Sequence, residues 1–192
     1  MDQGVHTSEG EISMASQAST ASKDAGFVAF GMSFASEREA IIDLIDKIQV
    51  AEACAGVALS TWAKNCTIPA LRGGLAMIAE REAFHGRVFS QRIRDLGGEC
   101  KAPLDSFSAE SEACLANPTL TDLEKLTSLV ERNGDPETLI RPVLAFADLL
   151  TEDLETKEAL KLYYADEISS GNWLRDMCRT LNSQATAIPH AA

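Results

Sequence analysis

The sequence predicts an all-α protein built as an antiparallel four-helix bundle. Three observations predict it. Apolar residues recur at helical spacing in four long stretches, no stretch alternates as a strand does, and the four are joined by two short turns and one long connection.

Residues 1–35 are a tail rich in Ser, Ala and Gly, whose composition cannot offset the entropy of ordering. Its end, residues 26–34, is more apolar and is expected to dock loosely on the body. Ser36-Glu37-Arg38-Glu39 is a capping box that opens the first helix, which runs to about Lys64. The inner stripe of that helix is Ile41, Ile45, Ile48, Glu52, Ala55, Leu59 and Trp62. Thr67 and Pro69 suit the start of the second helix, and Gly97-Gly98 suits its end. Leu71, Leu75, Ile78, Glu82, His85 and Phe89 form its stripe.

A connection follows over residues 99–118, with a short helix around 108–115. Thr121-Asp122-Leu123-Glu124 is a second capping box and opens a short helix to about Arg132. After the turn at Asn133-Gly134, Asp135 caps a third long helix that starts at Pro136 and runs to about Leu150. Its expected stripe is Glu137, Ile140, Leu144 and Ala147. Beyond the turn Thr151–Asp153 the fourth helix reaches about Leu181, with Leu160, Tyr163, Glu167, Ser170, Leu174 and Cys178 inside. The bundle thus occupies residues 36–182, and residues 183–192 are a polar, frayed tail.

Composition narrows the function classes. The net charge of -12 and a pI near 4.6 disfavour nucleic acid and anionic membrane surfaces, which need local positive charge. No run approaches the ~18 apolar residues of a membrane span. The start of the chain has no basic n-region and no apolar h-region, so a cytoplasmic protein is expected. Five cysteines, with no C-x-x-C pair, are expected to be reduced thiols, and they offer no zinc ribbon.

The chemistry is carried by a repeat. Glu52 and Glu82 are 30 residues apart, and so are Glu137 and Glu167. The midpoint of each pair falls in a predicted turn. Residues equidistant from the turn of a helical hairpin share a height, here ~20 Å from the turn at 1.5 Å per residue. Four carboxylates can therefore converge at mid-bundle. Unpaired buried carboxylates repel and protonate, and divalent cations relieve that cost. His85, three residues after Glu82, lies on the same face.

These residues resemble the ferritin-like superfamily of ferritins, bacterioferritins and rubrerythrins. There the four helices carry a Glu, a Glu-x-x-His, a Glu and a second Glu-x-x-His. Glu52 resembles the first ligand, and Glu82 with His85 the second helix's motif. Asp166-Glu167 to Ser170, followed by Trp173-Leu174, resembles the bacterioferritin run Asp-Glu-x-x-His-x-x-Trp-Leu. The resemblance covers residues 36–181. It implies metal ligands at Glu52, Glu82, His85, Glu137 and Glu167, with iron as the metal (manganese or zinc as alternatives) and dioxygen or peroxide as partner. A homodimer or higher oligomer is in keeping with such a protein. Ser170 stands where the second histidine is expected. Pro142, five residues after Glu137, raises Glu131 as a substitute for Glu137.

Three functions follow. The first is an oxidoreductase with a di-iron or di-manganese carboxylate site, or a single metal there, in ferroxidase, peroxidase or oxygenase chemistry. The second is a degenerate bundle without a competent site, acting as an interaction or scaffold protein. The third is iron storage in a cage. Tyr163, one turn before Glu167, is a core tyrosine or a hydrogen-bond donor to a ligand, while Trp62, Trp173 and Cys54 are packing residues.

Overall fold

Six α-helices and one short hairpin make up the described part, residues 26–187, of the computed structural model. The hairpin is β1 (Phe27–Ala29) and β2 (Met32–Phe34), and the helices are α1 (Glu37–Asn65), α2 (Pro69–Asp95), α3 (Ser106–Ala116), α4 (Asp122–Asn133), α5 (Pro136–Leu149) and α6 (Leu154–Ala187). Helix dominates, as the periodicity requires. The expected 1–25 and 188–192 tails lie outside the described residues. Residues 183–187, expected to be frayed, continue α6.

The hairpin corrects the expectation of no strands. Phe27 pairs with Phe34 and Ala29 with Met32, around a two-residue turn at Phe30-Gly31. Both turn residues have positive φ, 51° and 72°, the geometry that matches strand twist. Phe27 and Phe30 pack against the Phe146 ring at 5.9 and 5.3 Å, so the segment is docked on α5 by aromatic contacts.

α1 and α2 form a tight antiparallel pair. A Cβ on Gly56 would stand 2.9 Å from the Ala83 backbone N, and one on Gly86 would stand 3.1 Å from the Ala53 backbone N. Only glycine allows this approach at these two places. The two helices therefore lie close at the height of Glu52 and Glu82.

α4 and α5 run in succession along α6. Thr127 of α4 meets Cys178 at 3.6 Å, Asp135 pairs with Arg175 at 2.9 Å, and Pro136 fills the space a Cβ on Gly171 would need. The path that faces α6 is thus two helices with a break at Asn133–Pro136. The predicted helix from Pro136 is present, with Pro142 inside it. Its buried face differs from the expected stripe: Pro136, Val143, Phe146 and Ala147 point inward. Burying Phe146 and Val143 gains more apolar area than burying Leu144, and the helix turns accordingly. Glu137 is left on the outer face. α3 lies across α1 and touches α4.

Both hairpin turns are tied by an acid from elsewhere. Glu37, 6 % exposed, accepts the backbone N–H groups of Thr151, Glu152 and Asp153. Asp122 accepts the Thr67 N–H and the Trp62 indole N–H. The apolar core falls into two clusters. One centres on Ile41, Ile45, Phe89, Phe146 and Leu160, the other on Leu59, Trp62, Leu71, Leu75 and Leu126. Between them, along α1, α2 and α6, comes a layer of polar side chains.

Candidate metal centre

Three helices supply that layer. α1 contributes Glu52, α2 contributes Glu82 and His85, and α6 contributes Glu167. One ligand-capable atom from each lies within 4.8 Å of all the others. His85 is at the centre: its Nδ1 stands 3.6 Å from Glu52 Oε2, 3.7 Å from Glu82 Oε2 and 3.5 Å from Glu167 Oε1. Glu52, Glu82 and His85 are each less than a tenth exposed, and Glu167 is partly buried.

The neighbours of these four residues set their direction. The outward-facing His85 Nε2 meets Asp166 Oδ2 at 3.2 Å. A proton held there on Nε2 leaves Nδ1 as the free lone pair, the tautomer a metal ligand needs. Tyr163 donates its hydroxyl to Glu52 Oε1 at 2.8 Å. That leaves Oε2 facing the cluster. Glu52 Oε2, His85 Nδ1 and Glu167 Oε1 are buried and make no hydrogen bond. Orphan groups of this kind are rare in folded proteins and mark a missing partner or a stored cost.

The protonation pattern describes what the layer holds without a cation. Burial and the nearby Glu52 push the Glu82 carboxyl well above the usual range. Burial also raises Glu167, against the pull of His85. For Glu52 burial is outweighed by the neighbouring Glu82 and His85 and by the Tyr163 hydroxyl, so its carboxyl lies below its usual range. Burial opposes charge on His85 as well, but Glu167, Glu52, Glu82 and Asp166 outweigh it and the imidazole is pushed up to about 12. The cluster therefore favours holding protons on His85 and Glu82 over leaving all its carboxylates charged.

The donor set fits one ion. Ligands at about 2.0–2.2 Å from a single metal in a tetrahedral array stand roughly 3.3–3.6 Å from each other. The distances from His85 Nδ1 to the three carboxylates are of that order.

Of the five residues expected as ligands, four come together. Glu137 does not. It is exposed at the start of α5 and pairs with Arg141 at 2.9 Å, while Glu131 is exposed on α4. The break between α4 and α5 falls where a fourth carboxylate would have to come from. Ser170 is buried, and its hydroxyl accepts from Arg81 Nη1 at 3.0 Å. Two contributors went unassigned in the sequence. Asp166 adjoins Glu167 in the resembled motif, and that adjacency was its only signal. Arg81 gives no signal, because its partner is on another helix. Tyr163 combines both roles weighed for it, as a buried ring and as the donor to Glu52. Comparison with family models, with curated proteins and with solved structures gives no match.

Proposed function

We propose that this chain is a ferritin-like four-helix bundle, with α4 and α5 together as its third leg, that binds one transition-metal ion and serves oxidation chemistry with dioxygen or peroxide. Glu52, Glu82, His85 and Glu167 would hold the ion, iron first and manganese or zinc as alternatives. The observation that carries this reading is the convergence of four ligand atoms within 4.8 Å, three of them buried and without a hydrogen-bond partner. When bound, iron supplies redox exchange and an open position for a small oxidant. The chain's own residues prepare the place. Asp166 fixes the imidazole, Tyr163 orients Glu52, and Glu82 gives up its proton as a cation enters. Arg81 on Ser170 and the outward Glu137 leave a second ion without donors.

A second reading is favoured by one observation: His85 Nδ1 stands within 3.7 Å of three carboxylates, where a protonated imidazole would serve as their counter-ion. In that reading the layer is a sealed polar network in an interaction protein. Metal analysis after anaerobic dialysis against Fe(II) separates the two. One equivalent per chain is expected, lost in His85→Ala. No retained metal in the unaltered chain would leave the interaction reading standing.

A further inference from the structure

Beside the carboxylate layer lies a cavity of about 350 Å³. Glu52, Glu82, Glu167, Tyr163 and Ser170 form its inner end. Carbon forms most of the rest: Ala55 and Leu59 of α1, Leu115 of α3, Leu129 of α4, Ile140 and Val143 of α5. The space opens to the surface past Phe107 and Leu139, which are exposed, and pockets that bind small organic molecules begin at about 300 Å³. The void has a structural origin. The path along α6 is broken at Asn133–Pro136, and small residues face the gap: Ala55 and Ala58 from α1, Ser170 and Gly171 from α6.

We propose that this cavity is the binding site of an uncharged, mainly apolar organic molecule whose inner end rests against the Glu52–Glu82–Glu167 cluster. Three features select that class. The walls offer apolar area and few polar partners. Among the described residues no lysine or arginine lines the space, and the nearest cationic groups, His85 and Arg81, are already engaged by the Glu cluster and by Ser170. Glu112 joins the three cluster carboxylates along the lining, so an anion would meet four acids. Glu52 and Glu167, whose Oε2 and Oε1 are buried without a hydrogen-bond partner and face His85 Nδ1, are both lining residues, so the cavity adjoins the polar cluster. As a substrate site the cavity rests on the metal reading above; as a binding site it stands on its own lining.

The test uses N-phenyl-1-naphthylamine, which is uncharged and fluoresces in apolar surroundings, beside its anionic analogue 8-anilinonaphthalene-1-sulfonate. On the full chain the neutral probe is expected to bind saturably, one molecule per chain, and about tenfold or more tighter than the sulfonate. Ala55→Trp on α1 and Ser111→Trp on α3, whose side chains both line the cavity, fill the space from two helices. Each is expected to weaken the neutral probe about tenfold while circular dichroism and Co(II) uptake stay as in the unaltered chain. In the Co(II)-loaded protein the probe should alter the cobalt absorption bands. Absence of saturable binding, equal binding of the sulfonate, or unchanged binding in both filled and folded variants overturns the proposal. The neutral-versus-anionic comparison needs no variant, so it holds if either substitution misfolds. Cobalt uptake without probe binding sinks the cavity proposal alone; probe binding without cobalt uptake sinks the metal reading and leaves the cavity as a binding site.

Discussion

At His85 the competition is between a proton and a cation. Its folded pKa, pushed up to about 12, exceeds the ordinary value of 6.5. Stabilisation from its charge is therefore complete below about pH 6.5 and is lost as pH rises towards the folded value. Glu82 and Glu167 are also raised, from 4.5, so the fold favours their protonated forms and loses stability as pH climbs past 4.5. Glu52 is lowered and acts oppositely, its contribution being lost on acidification below 4.5. A metal taking these ligands would displace the proton on His85 and compete with protons that Glu82 and Glu167 hold more readily than free carboxyls do. Apparent affinity for Zn(II) is expected to rise between about pH 6 and pH 8, with proton release seen as buffer-dependent heats in calorimetry. A flat profile would contradict this assignment. Tyr163 offers a cleaner single-bond experiment. Its hydroxyl reaches an ionised, buried acceptor, and such bonds contribute about 1.5–3 kcal/mol. Tyr163→Phe should lower metal-free stability by that amount in urea, at unchanged slope, with metal uptake retained because Oε2 is untouched. A drop under ~0.5 kcal/mol would mean that water takes over the hydroxyl's role.

At the scale of helices, the close approach of α1 and α2 sets the site. Gly56 lies one turn beyond Glu52, and an added methyl there meets Ala83 N at 2.9 Å and Ala79 O at 3.1 Å. Those are backbone atoms of a helix and cannot swing aside. Gly56→Ala gains about 1 kcal/mol of helix propensity but pays an overpacking cost of about 1–3 kcal/mol. The net expectation is a lower melting temperature and weaker metal binding, since Glu52 moves away from Glu82. Gly73→Ala is the matched control: nothing lies within 4 Å of its Cβ, so it should raise the melting temperature. Equal behaviour of the two variants would show that helix spacing does not depend on Gly56. The contrast also marks how far the sequence is readable. Capping boxes at Ser36 and Thr121, the Pro69 and Pro136 starts and the Gly97 stop are local chemistry, and those helices begin and end within a residue or two of expectation. Glu52, Glu82, His85 and Glu167 were legible because charged residues inside an apolar stripe stand out. Glu137 misled because two stripes compete on α5, and the choice between them is made by Phe146 meeting the hairpin. The hairpin itself has three-residue strands and a Phe-Gly turn, too little pattern for period-two reading. Arg81 on Ser170 depends on the packing of two helices 89 positions apart, which no local signal encodes.

For the whole molecule, the polar layer is a cost that the rest of the fold must carry. It divides the apolar core into two clusters, with Glu52, Glu82, His85 and Glu167 between them. Three of its buried atoms have no hydrogen-bond partner, and burial pushes the Glu82 and Glu167 carboxyls above their usual range. Replacing buried ionic groups with apolar side chains of similar volume often stabilises a protein by about 1–4 kcal/mol, whereas removing one member strands the others. The five-fold variant Glu52→Leu, Glu82→Leu, His85→Leu, Glu167→Leu and Tyr163→Phe would join the two clusters into one continuous core. It is expected to bind no metal, yet to be more stable than the metal-free parent by about 1–4 kcal/mol in denaturant titrations. Glu82→Leu alone leaves His85 and Glu52 facing a hydrocarbon, but it also removes a raised carboxyl, so its effect should be smaller than that of the full set. The five-fold comparison discriminates between the two functional readings. A gain in stability means that the layer is kept at the expense of the fold, as a binding site is. A loss means that the protonated network itself holds α1, α2 and α6 in register, and the layer is then structural.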